Sequence, residues 1–372
     1  MTESEKRPKR KNIPFVFITA ILSILVICRA DAAIDGVTNA LSVCANTVIP
    51  SLFPFMVISE LIVRSGVTEY LGKYLSPAFR ALFGIRGQGA SAYLLGMLCG
   101  FPIGAKSAVA LCEDGNISKS ELSRLLCFCN MPSSAFIISA VGVSLFGSES
   151  FGITLYLITV LSSLCIGIGM KMIFGVCHAD NGQIQVNQQK DKATGIRTFT
   201  NAVVSSAESM ICVCAFIIFF SALIGTLDVA FSKEIIPKTA KALVTGVVEM
   251  TNGIRECARL GRTETALTLC AAVVGWSGIS VHFQIGAICQ KQKVNMKPYI
   301  AAKAAQGGLN ALLMCAYLRI ANPDFKFSAE SKSVIALNMP QRYIETILIL
   351  FIIASLCAIL KKFAEMRQKS RG

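Results

Sequence analysis

Histidine is almost missing from this chain: His178 and His282 are its two, beside the single tryptophan Trp276, in 372 residues. That scarcity removes the usual nitrogen ligands for zinc, and the 15 cysteines do not replace them. They scatter through apolar stretches, where a free thiol behaves as a small hydrophobe. The close pairs Cys127/Cys129 and Cys212/Cys214 lack the two-residue gap of common zinc ligands. No metal site, no cofactor and no disulfide framework are expected. A Walker A sequence is also absent, since "GFPIGAK" (Gly100–Lys106) lacks its spacing. No nucleophile–base–acid arrangement stands out, so the chain does not read as an enzyme.

Charge is the next shortage. Only 16% of residues are charged, 53% are hydrophobic, and the mean hydropathy is +0.60. Gly36–Ser59, Leu125–Ser148, Ser150–Met170, Ser209–Leu227 and Thr265–Gln290 contain no Asp, Glu, Lys or Arg. Each approaches the roughly 20 residues a helix needs to cross about 30 Å of hydrocarbon. They also lack the polar stripe of a soluble core helix. The chain therefore reads as all-α, a polytopic integral membrane protein whose first partner is the lipid bilayer.

The net charge of +14 does not point to nucleic acid, because of where it sits. Lys6, Arg7, Lys9, Arg10 and Lys11 crowd one end, and Lys361, Lys362, Arg367, Lys369 and Arg371 the other. Both clusters flank apolar spans, which predicts both termini on the cytoplasmic side and an even number of crossings. Such tails can also touch anionic lipid head groups. Ile13–Cys28, followed by Ala30-Asp31-Ala32, has the look of a signal peptide. With so many apolar spans after it, an uncleaved first helix fits better.

The resulting organisation is a basic tail (1–12), a first transmembrane helix (13–33) and a membrane half (34–177). A polar, Gln-rich linker (178–197) leads to a second half (198–320), a polar connection (321–342), a last transmembrane helix (343–361) and a basic tail (362–372). The halves share an order of features. In the first, an apolar span ends at Gly66 and an amphipathic stretch carries Pro77. The interrupted "GMLCGFPIGAKSAVAL" (Gly96–Leu111), a polar turn near Glu113–Ser120 and the span Leu125–Phe146 follow. In the second, a span ends near Gly225 and an amphipathic stretch carries Pro237. "GVVEMTNGIRECARL" (Gly246–Leu260), a polar turn at Gly261–Glu264 and a span over about Thr265–Ile288 follow. Paired halves with interrupted apolar segments in matching places are the pattern of a carrier core. Irregular backbone at membrane depth survives only where protein buries it or it lines a cavity. The expectation is two pseudo-repeated halves of inverted topology, with broken or re-entrant helices meeting near the midplane.

Those breaks nominate the binding residues. Gly100, Pro102 and Gly104 would end one helix, and the start of the next favours an anion, to which Lys106 adds charge. Lys106 reads equally well as a side chain snorkelling toward an interface near Glu113 and Asp114. Glu249, beside Thr251, Asn252 and Gly253, could hold a cation, relay a proton or pair with Lys106; pairing with Arg255 or Arg259 is the structural alternative. Asn130, Ser133 and Ser134 surround Pro132, and Ser277, Ser280 and Gln284 occupy the comparable span of the second half. Residues of these types also hydrogen-bond neighbouring helices. His282 reads as a packed residue rather than a relay. Glu60 and Arg64, four apart, read as a pair near a helix end.

"PSLFPF" (Pro50–Phe55), "GFPIGAK" (Gly100–Lys106), "GVVEMTNG" (Gly246–Gly253), "GWSGISVHFQ" (Gly275–Gln284) and "KPYIAAKAAQG" (Lys297–Gly307) resemble, in matching order, the sporulation integral membrane protein YlbJ family. That family's halves are similar to the nucleoside-recognition, or Gate, domains of concentrative nucleoside carriers and ferrous-iron transport proteins. The resemblance implies a role in endospore formation, at the stage of cortex building, in the cell membrane of a Gram-positive spore former. It departs from the family where Pro132 follows Asn130 by two residues, in place of a later Gly-Pro pair. The combined expectation is a carrier of a small polar or anionic solute, coupled to a cation or a proton. The alternative is a non-transporting scaffold for cortex-synthesis proteins.

Overall fold

The computed structural model describes residues 13–65, 67–177, 195–231 and 236–320. Both basic tails, linker residues 178–194, the polar connection and the last transmembrane helix expected over 343–361 lie outside these residues. The described residues form helices and no strands. The protein is an all-α, polytopic integral membrane protein.

Helix α1 (Ile13–Cys28) stops where the first charge appears. Arg29 leaves helical geometry at φ −132°, ψ 43°, and α2 (Ala30–Val43) begins at once. The helix expected over 13–33 is therefore two elements. A π-helical turn, Cys44–Val48, leads into α3 (Ile49–Arg64), and the segments on either side bend by 54°. Pro50 and Pro54 lie at this bend, where each removes a backbone donor and crowds the preceding turn. Near the end of α3, Arg64 Nε donates to Glu60 Oε1 at 2.9 Å, the expected pair. The amphipathic helix α4 (Val67–Phe83) follows.

Two broken elements come next. Helix α5 (Gly89–Cys99) turns back at Gly100–Pro102 into α6 (Ile103–Glu113), a helical hairpin. Helix α7 (Lys119–Cys129) opens with a capping box, Glu121 N donating to Ser118 Oγ and Ser118 N to Glu121 Oε2. It ends at Asn130, and after an irregular turn a π-helical segment, Phe136–Leu145, carries the chain on. The long α8 (Glu149–Phe174) closes the first half.

Helix α9 (Gly195–Phe231) leads to two further broken elements. Helix α10 (Lys238–Val248) breaks at Glu249 and turns back as α11 (Met250–Arg259). Helix α12 (Glu264–Trp276), capped by Thr263, breaks at Ser277 and continues as α13 (Gly278–Ile288), and α14 (Lys297–Ile320) follows. The spans expected over Leu125–Phe146 and Thr265–Ile288 are thus each interrupted. In the first the chain leaves the helix at Asn130, and in the second Ser277 takes a left-handed φ of 72°. Glu149–Phe174, Gly195–Leu227 and Glu264–Ile288 are long and apolar enough to cross a membrane, and the bent α2–α3 pair makes a fourth if it counts as one span.

Packing exchanges partners between the halves. Helix α6 packs on α13, α11 on the π-helical segment, and α14 on both α7 and α8. Each hairpin closes on glycine. A Cβ on Gly96 would lie 1.8 Å from the Cys129 carbonyl oxygen and 3.3 Å from Gly104 Cα; one on Gly253 would lie 2.1 Å from Gly246 Cα. No side chain fits either contact. Gly253→Ala is expected to lower the thermal unfolding midpoint of the detergent-purified protein by the equivalent of at least about 1–3 kcal/mol, as for other overpacked cores. Gly308→Ala is the control, with nothing within 4 Å of the added carbon, and should leave the midpoint unchanged or higher.

Candidate functional site

The backbone at the first hairpin tip bonds the break in α7. Phe101 N donates to Met131 O at 3.0 Å, while Gly100, at φ 77°, stands where an added Cβ would meet Ser133 N at 2.5 Å. Ser133 Oγ accepts from Phe136 N and so caps the π-helical segment. Asn130 donates from Nδ2 to Leu126 O, and its Oδ1 lies 3.4 Å from the position a Cβ on Gly104 would take. Gly100, Pro102, Gly104, Asn130 and Ser133 therefore form one buried cluster. Ser134 reaches back to Leu98 O at 3.3 Å.

Lys106 bonds α9 and not Glu249. Its ammonium donates to Ser209 Oγ and, at 3.4 Å, to the hydroxyl and carbonyl oxygens of Ser205, all on α9. Glu113 instead accepts from Gln292 Nε2 at 3.0 Å. The pairing of Lys106 with Glu249, one of the three roles considered for the carboxylate, is not formed. Lys106 sits one turn into α6, and α9 is the helix its side chain meets there.

Glu249 is 1% exposed and sits in the break itself, with extended φ −142° and ψ 122°. Its Oε1 accepts from Thr251 N at 2.9 Å and its Oε2 from Asn252 N at 2.7 Å. The carboxylate thus caps α11, satisfying two donors that a helix start leaves free and placing negative charge at the positive end of the dipole. Neither Arg255 nor Arg259 pairs with it; Arg259 and Lys241 take Glu256. Gly253 lies at the hairpin's glycine contact, and an added Cβ on Gly278 would be 2.8 Å from Met250 N, so α13 begins against the same break. Asn252 Nδ2 donates to Ser221 Oγ on α9 at 2.7 Å. Ser280 and Gln284 are buried on α13, the helix that touches both hairpins, and Gln284 Nε2 has no partner among the described residues.

His282 is packed. Its Nδ1 lies 3.3 Å from the Tyr299 hydroxyl, and its ring meets Trp276 and Tyr299 edge-on. Trp276 donates from Nε1 to Val247 O at 3.0 Å, tying α12 to the end of α10.

Two groups of residues escape a reading by motif. The first is a polar face on α14: Tyr299, Lys303, Gln306 and Asn310, all buried, at intervals of four, three and four. Lys303 Nζ donates to Asn130 O at 2.9 Å and Gln306 Oε1 at 2.7 Å. Asn310 Nδ2 reaches Thr159 Oγ1 on α8 at 3.3 Å and Ala271 O on α12 at 3.2 Å. That helical stripe is itself a readable signal. The second is a polar cavity of about 420 Å³ between α2, α9, α10 and α11, lined by Asp35, Asn39, Lys241, Asn252, Arg255 and Arg259 among others. No group of three or more His, Cys, Asp or Glu side chains that could hold a metal occurs among the described residues.

Comparison with known proteins follows the motifs. Residues 45–149, from the π-helical turn before α3 to the start of α8, match the Gate (nucleoside recognition) family. The sporulation integral membrane protein YlbJ of Bacillus subtilis (strain 168) is 29% identical over 327 residues, 79% of this chain and 78% of that protein. No solved structure matches. The chain is an integral membrane protein similar, over most of its length, to a sporulation integral membrane protein, and its residues 45–149 are similar to the Gate family.

Proposed function

We propose that this protein is a secondary carrier of a small polar or anionic solute that serves endospore formation at the cortex stage. Its two halves are read as an inverted pseudo-repeat. The observation that carries this reading is the convergence of four broken helices, two per half, with partners exchanged between halves. Apolar helices are broken at membrane depth only where protein or a cavity takes up the freed backbone, and such breaks are where carriers bind their cargo.

The solute site is placed among Gly100, Gly104, Asn130, Ser280 and Gln284, where the first hairpin meets α13. Two buried polar atoms there, Asn130 Oδ1 and Gln284 Nε2, have no partner among the described residues. An unpaired buried group costs about 1–3 kcal/mol, which binding a polar solute would recover. Asn252 and the basic residues of the 420 Å³ cavity offer a polar approach from the second hairpin. Lys106, held by the α9 serines, supplies positive charge beside the site rather than a partner for Glu249.

The scaffold reading keeps one observation in its favour: Lys106 and Glu249 both have their hydrogen bonds taken internally. A thermal-shift panel of nucleosides, cell-wall precursors, dipicolinate and amino acids separates the two. A ligand at one hundred times its dissociation constant should stabilise the native state by about 2.7 kcal/mol. Loss of that shift in Asn130→Ala and Gln284→Ala, with the unliganded midpoint kept, supports the carrier and its site. A flat panel, with both variants still supporting sporulation, overturns it in favour of the scaffold.

Glu249 provides a second check, on the cap. Glu249→Ala removes both acceptors and should lose about 1–2 kcal/mol or more of stability, at the upper end of helix caps because the site is buried. Glu249→Asp, a shorter acceptor of the same charge, should recover part of it. Equal midpoints for wild type and alanine variant would remove the cap from the account.

A further inference from the structure

Lys303 lies in the first third of α14, 0% exposed, and no carboxylate pairs with it among the described residues. The groups facing it are neutral. The thiols of Cys127 and Cys129 and the carbonyl of Asn130 come from α7, and His282 comes from α13. Its own helix contributes Gln306, whose amide is in turn held by Thr159 O and Ser162 Oγ of α8 at 3.4 Å. An unpaired buried ammonium is expensive unless something compensates it.

The compensation lies in where the ammonium points. Asn130 is the residue at which α7 stops, so its carbonyl belongs to the set that a helix end leaves without intrahelical donors. These oxygens carry the negative end of the helix dipole. Carbonyls of unwound backbone at the C-terminal end of a half-helix are also the ligands with which carriers hold a sodium ion. Here a side-chain ammonium takes that position, 2.9 Å from the carbonyl oxygen and 2.7 Å from a side-chain amide oxygen.

We propose that Lys303 is a tethered cation: it fills from within the chain the monovalent-cation site that the break in α7 creates, so that this half of the protein binds no sodium. The inference rests on the break geometry and goes beyond the carrier reading, which leaves the coupling cation or proton unassigned.

The test uses the full-length protein in detergent. Unfolding midpoints are measured for wild type and Lys303→Ala in sodium chloride, choline chloride and propylammonium chloride. Propylammonium replaces the atoms that the alanine variant lacks. The wild type sets the salt response that owes nothing to this site, since Lys303 fills it. Lys303→Ala should melt lower in choline and recover a few degrees, saturably, in sodium or propylammonium. A folded Lys303→Ala that gains no more from sodium or propylammonium than the wild type does overturns the proposal. If the alanine variant is recovered only unfolded, Lys303→Arg and Lys303→Met decide. Stability kept by arginine and lost by methionine supports the tethered charge, and any other pattern overturns it. The readout is stability and not transport. A flat solute panel would sink the carrier and leave this inference standing, whereas a folded Lys303→Ala with no added response to either cation would do the reverse.

Discussion

A helix interrupted inside hydrocarbon leaves N–H and C=O groups with no water to bond, and the rest of this fold follows from how those groups are satisfied. At the first hairpin tip, Phe101 N finds Met131 O, so the break in α5–α6 is closed by the break in α7. The α7 break in turn depends on Lys303 from α14 and on Ser133 within the chain. In the second half Glu249 closes the start of α11, and the start of α13 rests against Met250 and Glu249. The left-handed turn at Ser277 still returns its own N–H to Val273 O at 2.8 Å. The breaks are thus paired within each half, and one is completed from the far end of the chain.

Charge is distributed by the same rule. Placed in hydrocarbon alone, an ion costs several kcal/mol. Placed at the matching end of a helix it regains roughly 0.3–2 kcal/mol from the dipole, and direct bonds to backbone groups add to this. Glu249 is a carboxylate at a helix start and Lys303 an ammonium at a helix end, each on the side the dipole favours. Lys106 follows a different solution, surrounded by the hydroxyls of Ser205 and Ser209. Each has its own partners, so Glu249 and Lys106 have no reason to meet.

What was legible in the sequence follows from this division. Glycine and proline announce breaks because their backbone chemistry is local, so Gly100, Pro102 and the Asn130–Ser133 turn could be located without a structure. Glu249 stood out as a lone carboxylate in an apolar run, but its role did not, since capping depends on where the helix ends. The interruption at Ser277 is harder to place: serine is no obligate helix breaker, and Gly275 and Gly278 on either side of it do not say which residue turns. Lys303 was missed for another reason. In "KPYIAAKAAQGG" it reads as one lysine in a small-residue, mildly polar helix, and only the four-three-four spacing of Tyr299, Lys303, Gln306 and Asn310 shows a single polar face. Which helix that face meets is long-range information, as is the docking of Lys106 on α9.

The polar atoms left over help to choose between a static and a working interior. Asn130 Oδ1, Gln284 Nε2 and Asn310 Oδ1 are buried without partners among the described residues, and they lie at the end of α7, on α13 and on α14. A purely structural core gains by pairing or removing such atoms, each of which costs about 1–3 kcal/mol. Elsewhere this interior pairs its polar groups closely: Tyr93 meets Ser163 at 3.0 Å, and Tyr156 meets Met97 O at 3.0 Å. Of the five unpartnered atoms among the described residues, the other two, Thr268 Oγ1 and His282 Nε2, lie on α12 and α13. The three named first sit where α7, α13 and α14 meet, the place where a bound polar solute could supply the missing bonds. A scaffold whose docking surface lies outside the bilayer has no use for them there, which is the physical reason to favour the carrier.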